Sequence, residues 1–143
     1  MNVVEDIMTV KPICLKDNDS LFLGRTTMRN HGIRHIPIIY ADSGYFAGIL
    51  TQKSVLSKAI EITNKSGLHH LEEEEKKISI ELVMDTDVTT VGPSTPLLKA
   101  ALYFRDHRHG CLAVVSNDKV VGILTSGDFV KLSIHFLETY AKI

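Results

Sequence analysis

The chain repeats itself. Residues 4–21, VEDIMTVKPICLKDNDSL, align with residues 80–97, IELVMDTDVTTVGPSTPL, at a constant offset of 76 that puts Met8 on Met84 and Leu21 on Leu97. The same offset carries Met28 onto Phe104, His31 onto His107, and the segment 33–39 (IRHIPII) onto 109–115 (HGCLAVV). It then drops to 74, where Gly48, Ile49, Leu50 and Thr51 recur unchanged as Gly122, Ile123, Leu124 and Thr125. A repeat of this kind constrains architecture strongly, because each copy is one supersecondary unit that cannot bury its apolar face alone. Two copies in one chain are expected to cover each other by pseudo-two-fold packing.

Within each copy the pattern predicts a short strand, a helix, a hairpin and a second helix, an α/β (α+β) fold of order β-α-β-β-α run twice. Ile36 to Ile39 and Leu112 to Val115 are short apolar runs rich in branched residues, each followed by a turn signal, as for a buried hairpin. The turns are expected at Asp42-Ser43-Gly44 and at Asn117-Asp118. Thr95 is a candidate N-cap with Pro96 at the first helical position, the helix running to about Phe104. The stretch after Thr51 is predicted helical to about Asn64, with Gly67 as its stop. This divides the chain into a first motif at 1–64, a connector at 65–79 and a second motif at 80–143. The connector's run LEEEEKK, residues 71–77, is expected to be a solvated turn of helix.

Composition narrows the function classes. With 143 residues, 44% of them hydrophobic, the chain can build a sizeable core without disulfides or a structural metal. A net charge of -1 gives no overall field to attract a nucleic-acid backbone or an anionic membrane, so neither is expected as a partner. Cys14 and Cys111 stand far apart with no CxxC neighbour and are expected to be reduced, half-buried thiols. The start, MNVVEDIMTV, has acids where a signal peptide has basic residues, and no apolar run approaches the roughly 18 residues of a membrane helix, which suggests a cytoplasmic protein.

The ordered marks of the repeat resemble the CBS domain family, named after cystathionine beta-synthase, whose paired motifs form a Bateman module. They are D-I-M-T at Asp6 to Thr9, G-I-R-H-I-P-I-I at Gly32 to Ile39, and G-I-L-T-S-G-D at Gly122 to Asp128. The resemblance implies a regulatory module that binds AMP, ADP, ATP or S-adenosylmethionine between its motifs, commonly as a homodimer, and that acts on a protein still to be identified. It implies no cofactor and no metal. Carried over, a first cleft uses Thr125, Ser126 and Asp128 for the ribose, facing Pro12, Ile13 and Ile33, with Arg34 and His35 on the phosphates and Arg108 as a further phosphate contact. The chemistry fits, since a carboxylate accepts from two ribose hydroxyls and a guanidinium pairs with phosphate. The second cleft, Thr51 and Ser54 facing Val88, Thr89, Gly110 and Cys111, has serine in place of the ribose aspartate and is expected to be weak or empty.

Plainer readings stand beside these. Thr125 and Asp128 also fit a helix capping box that needs no ligand, and Thr51 with Ser54 reads as capping only. His107, His109 and Cys111 alternate as metal ligands on a strand would, but His107 is better placed at a helix end. His69 and His70 fit an exposed polar loop. No nucleophile-and-base spacing, phosphate loop or zinc-protease motif occurs, so an enzyme is not expected. The alternative to a sensor is a ligand-independent dimerising scaffold.

Overall fold

The computed structural model describes residues 2–107 and 110–141. Along the chain run β1 (Thr9–Val10), β2 (Leu15–Lys16), α1 (Leu21–His31), β3 (His35–Ile39), β4 (Phe46–Thr51), α2 (Gln52–Ser66), α3 (Leu71–Glu75), β5 (Thr90–Val91), α4 (Leu97–Asp106), β6 (Cys111–Ser116), β7 (Lys119–Thr125) and α5 (Ser126–Ala141). Single 3-10 turns lie at Val4–Asp6, Leu68–His70 and Ile80–Leu82. The elements form two compact units, Ile13–Val88 and Met1–Pro12 with Thr89–Ile143.

In the unit Ile13–Val88 the sheet order is β2-β3-β4, with β2 parallel and β4 antiparallel to β3. Ile36, Pro37 and Ile38 are all buried. Such a run, without alternation, belongs to a strand covered on both faces. Leu21, Met28, Ile36, Ile38, Leu50, Val55 and Ile80 form its core. Local chemistry sets the helix ends. Ser20 Oγ accepts from the Leu23 amide at 3.1 Å to start α1, and Gly32 at φ 62° stops it in the left-handed region where a side chain would be strained. In the other unit the order is β1-β7-β6-β5, and Val4, Ala100, Leu112, Val114 and Leu124 form the core. Its hairpin turns on Asn117 and Asp118, both at positive φ (52° and 65°), which is the twist a two-residue turn between antiparallel strands requires.

The compact units are cut differently from the sequence repeats, because the two leading segments change places. Val4 N donates to Thr95 O (2.9 Å), Glu5 N to Pro93 O (3.0 Å), and Leu97 N to Asn2 O (2.9 Å). Displaced by 76 residues, the same three bonds recur as Ile80 N to Asp19 O (2.8 Å), Glu81 N to Asp17 O (3.0 Å) and Leu21 N to Ile78 O (2.8 Å). Each leading segment is thus clipped to the turn before the other repeat's helix. Val4 and Ile80, equivalent in sequence and both fully buried, each fill the core of the opposite repeat.

Three sequence expectations need correction. Thr95 does not cap α4; its hydroxyl accepts from the Gly92 amide at 3.0 Å, and Pro96, still extended at ψ 136°, takes the N-cap position. Helices α2 and α4 each continue two residues past the expected stop, to Ser66 and Asp106. The acidic run is not wholly solvated. Glu75 is fully buried on α3 and takes Arg25 Nε from α1 at 2.8 and 3.0 Å, while Lys76 Nζ lies 4.9 Å over the Phe22 ring. The connector is therefore fastened to α1, since a buried carboxylate needs a charged partner.

The repeated glycines Gly48 and Gly122 let the exchanged segments approach. A Cβ on Gly48 would come 2.5 Å from the Asp85 carbonyl oxygen, and one on Gly122 would come 2.5 Å from Met8 Sδ and 3.0 Å from Thr9 O. Overpacking of this kind costs about 1–3 kcal/mol. Chemical denaturation is expected to show Gly48→Ala losing more stability than Gly122→Ala, because a thioether rotates away more easily than a backbone carbonyl that is itself paired with Ile49. Equal and negligible losses would contradict this packing.

Candidate functional site

Strand β7 runs straight into α5 at Thr125 and Ser126, and the junction is closed by Asp128. Its Oδ2 accepts from the Thr125 amide at 2.8 Å and from the Thr125 hydroxyl at 3.3 Å. Asp128 is 7% exposed, and both of these bonds arrive at the same oxygen. The carboxylate thus reaches back from the first helical turn to an amide that the helix leaves unpaired. Gly110 and Cys111 lie at this same end of the hairpin. Cys111 pairs in register with Thr125, and Gly110 O accepts from the Ser126 amide at 3.3 Å.

The equivalent end of the other unit is built from Ile33, Arg34, His35, Thr51 and Ser54. His35 pairs in register with Thr51, and Arg34 O accepts from the Gln52 amide at 2.9 Å. Thr51 Oγ1 accepts from the Ser54 amide at 3.1 Å, and its hydroxyl donates to Ser54 Oγ at 3.0 Å. This is the N-cap expected for α2. Arg34 is exposed just ahead of β3, with Ile33 and His35 half-buried.

Among the residues singled out from sequence, Thr125, Ser126 and Asp128 therefore share a hairpin end with Gly110 and Cys111. Ile33, Arg34 and His35 share one with Thr51 and Ser54. The unit boundaries fall between Pro12 and Ile13 and between Val88 and Thr89, so each of these pairs sits where the chain passes from one unit to the other. Arg108 and His109 lie outside the described residues. His107 ends α4, with its ring stacked on Tyr103 at 4.2 Å and Nδ1 3.0 Å from Tyr103 O, and so is not a strand residue.

The neighbour missed from sequence is Cys111, taken as half-buried and placed apart from Asp128. It is 6% exposed, and burial, reinforced by the negative Asp128, pushes its thiol up to about 12. The signal was available in the hairpin register, but counting back from the turn misses it because the register shifts between Val114 and Val115. A thiol whose pKa is raised on folding contributes stability that is full below its ordinary pKa of 9.0 and is lost as pH rises toward 12. Thermal melts are expected to fall more steeply between pH 9 and pH 11 for the unaltered chain than for Cys111→Ala; parallel curves would contradict the burial.

The CBS domain family model matches residues 4–61 and 78–135. The chain belongs to the CBS domain family. AcuB of Vibrio cholerae, a protein named for acetoin utilization, has a crystal structure that covers 100% of this chain and 98% of its own at 35% identity and a TM-score of 0.80. A CBS domain pair solved in complex with 5′-methylthioadenosine and S-adenosyl-L-methionine is 27% identical, with coverage of 91% and 94% and a TM-score of 0.71. Among curated relatives, the CBS domain-containing protein YhcV of Bacillus subtilis is 23% identical over 90% of this chain and 83% of its own length. A homoserine O-acetyltransferase of Methanococcoides burtonii is 27% identical over 90% of this chain, which spans only 24% of that enzyme. Among the described residues, no helix of this CBS pair is long and apolar enough to cross a membrane.

Proposed function

We propose that this CBS pair is a regulatory sensor of an adenosine-carrying ligand, with Thr125, Ser126 and Asp128 taking the ribose, Pro12, Ile13 and Ile33 the adenine, and Arg34, His35 and Arg108 any phosphate. The observation that carries this reading is the buried Asp128 carboxylate. Oδ2 is engaged by Thr125, which leaves Oδ1 to accept from ribose hydroxyls, the strongest kind of acceptor for that purpose. The solved CBS pair that contains S-adenosylmethionine and 5′-methylthioadenosine supports the ligand class. Binding that favours one arrangement of the motifs over another would pass the signal to a separate protein or to the pairing of two copies. AcuB's name makes acetoin use the first process in which to look for that regulated protein.

The corresponding place around Thr51 and Ser54 has no carboxylate, and its hydroxyls are already engaged with each other. We therefore read that second cleft, completed by Val88, Thr89, Gly110 and Cys111, as weak or empty. This feature also favours the alternative of a ligand-independent scaffold.

Calorimetric titration with AMP, ADP, ATP and S-adenosylmethionine separates the two. The sensor predicts one strong site per chain for at least one of them, whereas no heat from any of the four leaves the scaffold. A hydrogen bond to a charged group contributes about 1.5–3 kcal/mol, so Asp128→Ala is expected to weaken that binding by about one to two decades. Asp128→Asn keeps an acceptor for the Thr125 amide and isolates the charge. Ser54→Ala is expected to leave the affinity unchanged, and equal effects at positions 54 and 128 would overturn the assignment.

A further inference from the structure

Two methionines lie against the glycines that admit the exchanged segments. Met8 and Met84 are equivalent in the repeat, 76 residues apart, Met8 against Gly122 and Met84 against Gly48. Both are half-buried at the edge of a core, whereas Met28 is 5% exposed within one. Met1 lies outside the described residues. A small oxidant in water can therefore reach the sulfurs of Met8 and Met84, while the fold shields that of Met28.

The surroundings of the two reachable sulfurs differ. A Cβ on Gly122 would lie 2.5 Å from Met8 Sδ and 3.1 Å from Met8 Cγ, so this thioether itself rests on the strand backbone. Over Gly48 the closest atom is the Asp85 carbonyl oxygen, and Met84 Sδ stands further off at 3.4 Å. The fastening differs as well. Beside Met84, Asp85 and Ile49 exchange backbone bonds of 2.8 and 2.9 Å. Met8 instead leads into β1, two residues long and exposed at both, which pairs with β7 through Thr9 with Ile123 and Val10 with Gly122.

We propose that Met8 is a reversible oxidation site whose sulfoxide releases β1 from β7. The oxidant is hydrogen peroxide: a sulfur lone pair attacks the O–O bond, one oxygen stays on sulfur as the sulfoxide, and the other leaves as water. The change turns an apolar side chain into a polar one. An added oxygen on a sulfur that already rests on Gly122 has no room while the strand stays beneath it, and its dipole calls for water that a packed face does not admit. The segment lifts. Met84 takes up oxygen too, but its sulfur has more clearance and its neighbours keep their backbone bonds, so that hairpin stays covered. Methionine sulfoxide reductases return Met8 to the thioether, the oxygen leaving as water while a pair of reductase thiols becomes a disulfide. None of the residues assigned to the ligand takes part.

The full chain is treated with dilute hydrogen peroxide, oxygen uptake is read methionine by methionine by peptide mass spectrometry, and amide hydrogen exchange is measured before and after. Met8 and Met84 are expected to take up oxygen at least about tenfold faster than Met28. After oxidation the amides of β1 and of Gly122 and Ile123 are expected to exchange about tenfold faster, those of residues 48–51 to be unchanged, and reductase treatment to restore the original rates. Met8→Leu, a swap of nearly equal volume, is expected to fold and to lose this response, and Met84→Leu to keep it. The proposal is overturned if Met8 oxidises no faster than Met28, or if β1 in the oxidised chain exchanges as before. A Met8→Leu chain that responds like the unaltered one, or a response lost equally in Met84→Leu, overturns it too.

Discussion

The fold depends on a close approach of two backbones. Each leading segment lies across the opposite repeat's hairpin at a position where any side chain would collide, over Gly48 in one unit and over Gly122 in the other. With the glycines in place, Asp85 exchanges two backbone bonds with Ile49, and Thr9 pairs with Ile123 in the same register. Val4 and Ile80 then drop into the core of the opposite repeat, Val4 with Ile7 and Met8 beside it and Ile80 with Val83 and Met84. The exchange leaves one compact unit, Ile13–Val88, continuous in sequence and builds the other from two separate stretches, and each core takes residues from both repeats.

The same hairpin that receives the exchanged segment delivers the candidate site. Two residues beyond the Gly-Ile-Leu stretch the strand has turned into a helix, and a side chain three residues into that turn decides what the junction offers. Where it is aspartate, the carboxylate is buried, closes the junction through one oxygen and places negative charge beside a buried thiol. Where it is serine, the junction closes with neutral groups, the Ser54 amide donating to Thr51 Oγ1 and the Thr51 hydroxyl to Ser54 Oγ. Capping and the ligand binding proposed for Asp128 are thus compatible. The capping bonds are what hold the carboxylate still, and a prefixed acceptor loses less on binding than a mobile one.

How much of this could be read from sequence follows from which signals are local. The hairpins, their turns, the cap at Thr51 and the stop at Gly67 rest on residues within a few positions of each other, and appear where the pattern put them. The α4 start went astray because Pro96 favoured a helix entry one residue early while Thr95 had a closer partner in Gly92. The exchange of leading segments was invisible, since the offset of 76 is the same whichever repeat Val4 and Ile80 pack against. Glu75 was hidden in a run of four glutamates, and only the partner on α1, 50 residues away, tells it from its neighbours. Asp128 and its threonine were found by motif; that Cys111 lies against them needed the register of a bulged hairpin.

The decisive observation is which junction answers to a ligand. Backbone amide resonances of the full chain, followed by NMR while S-adenosylmethionine or AMP is added, report Thr125 to Asp128 and Thr51 to Ser54 separately. The account predicts saturating shifts at the aspartate junction together with Ile33 to His35, and little movement at Ser54. Shifts centred on Thr51 and Ser54, with the Asp128 amide unmoved, would contradict it.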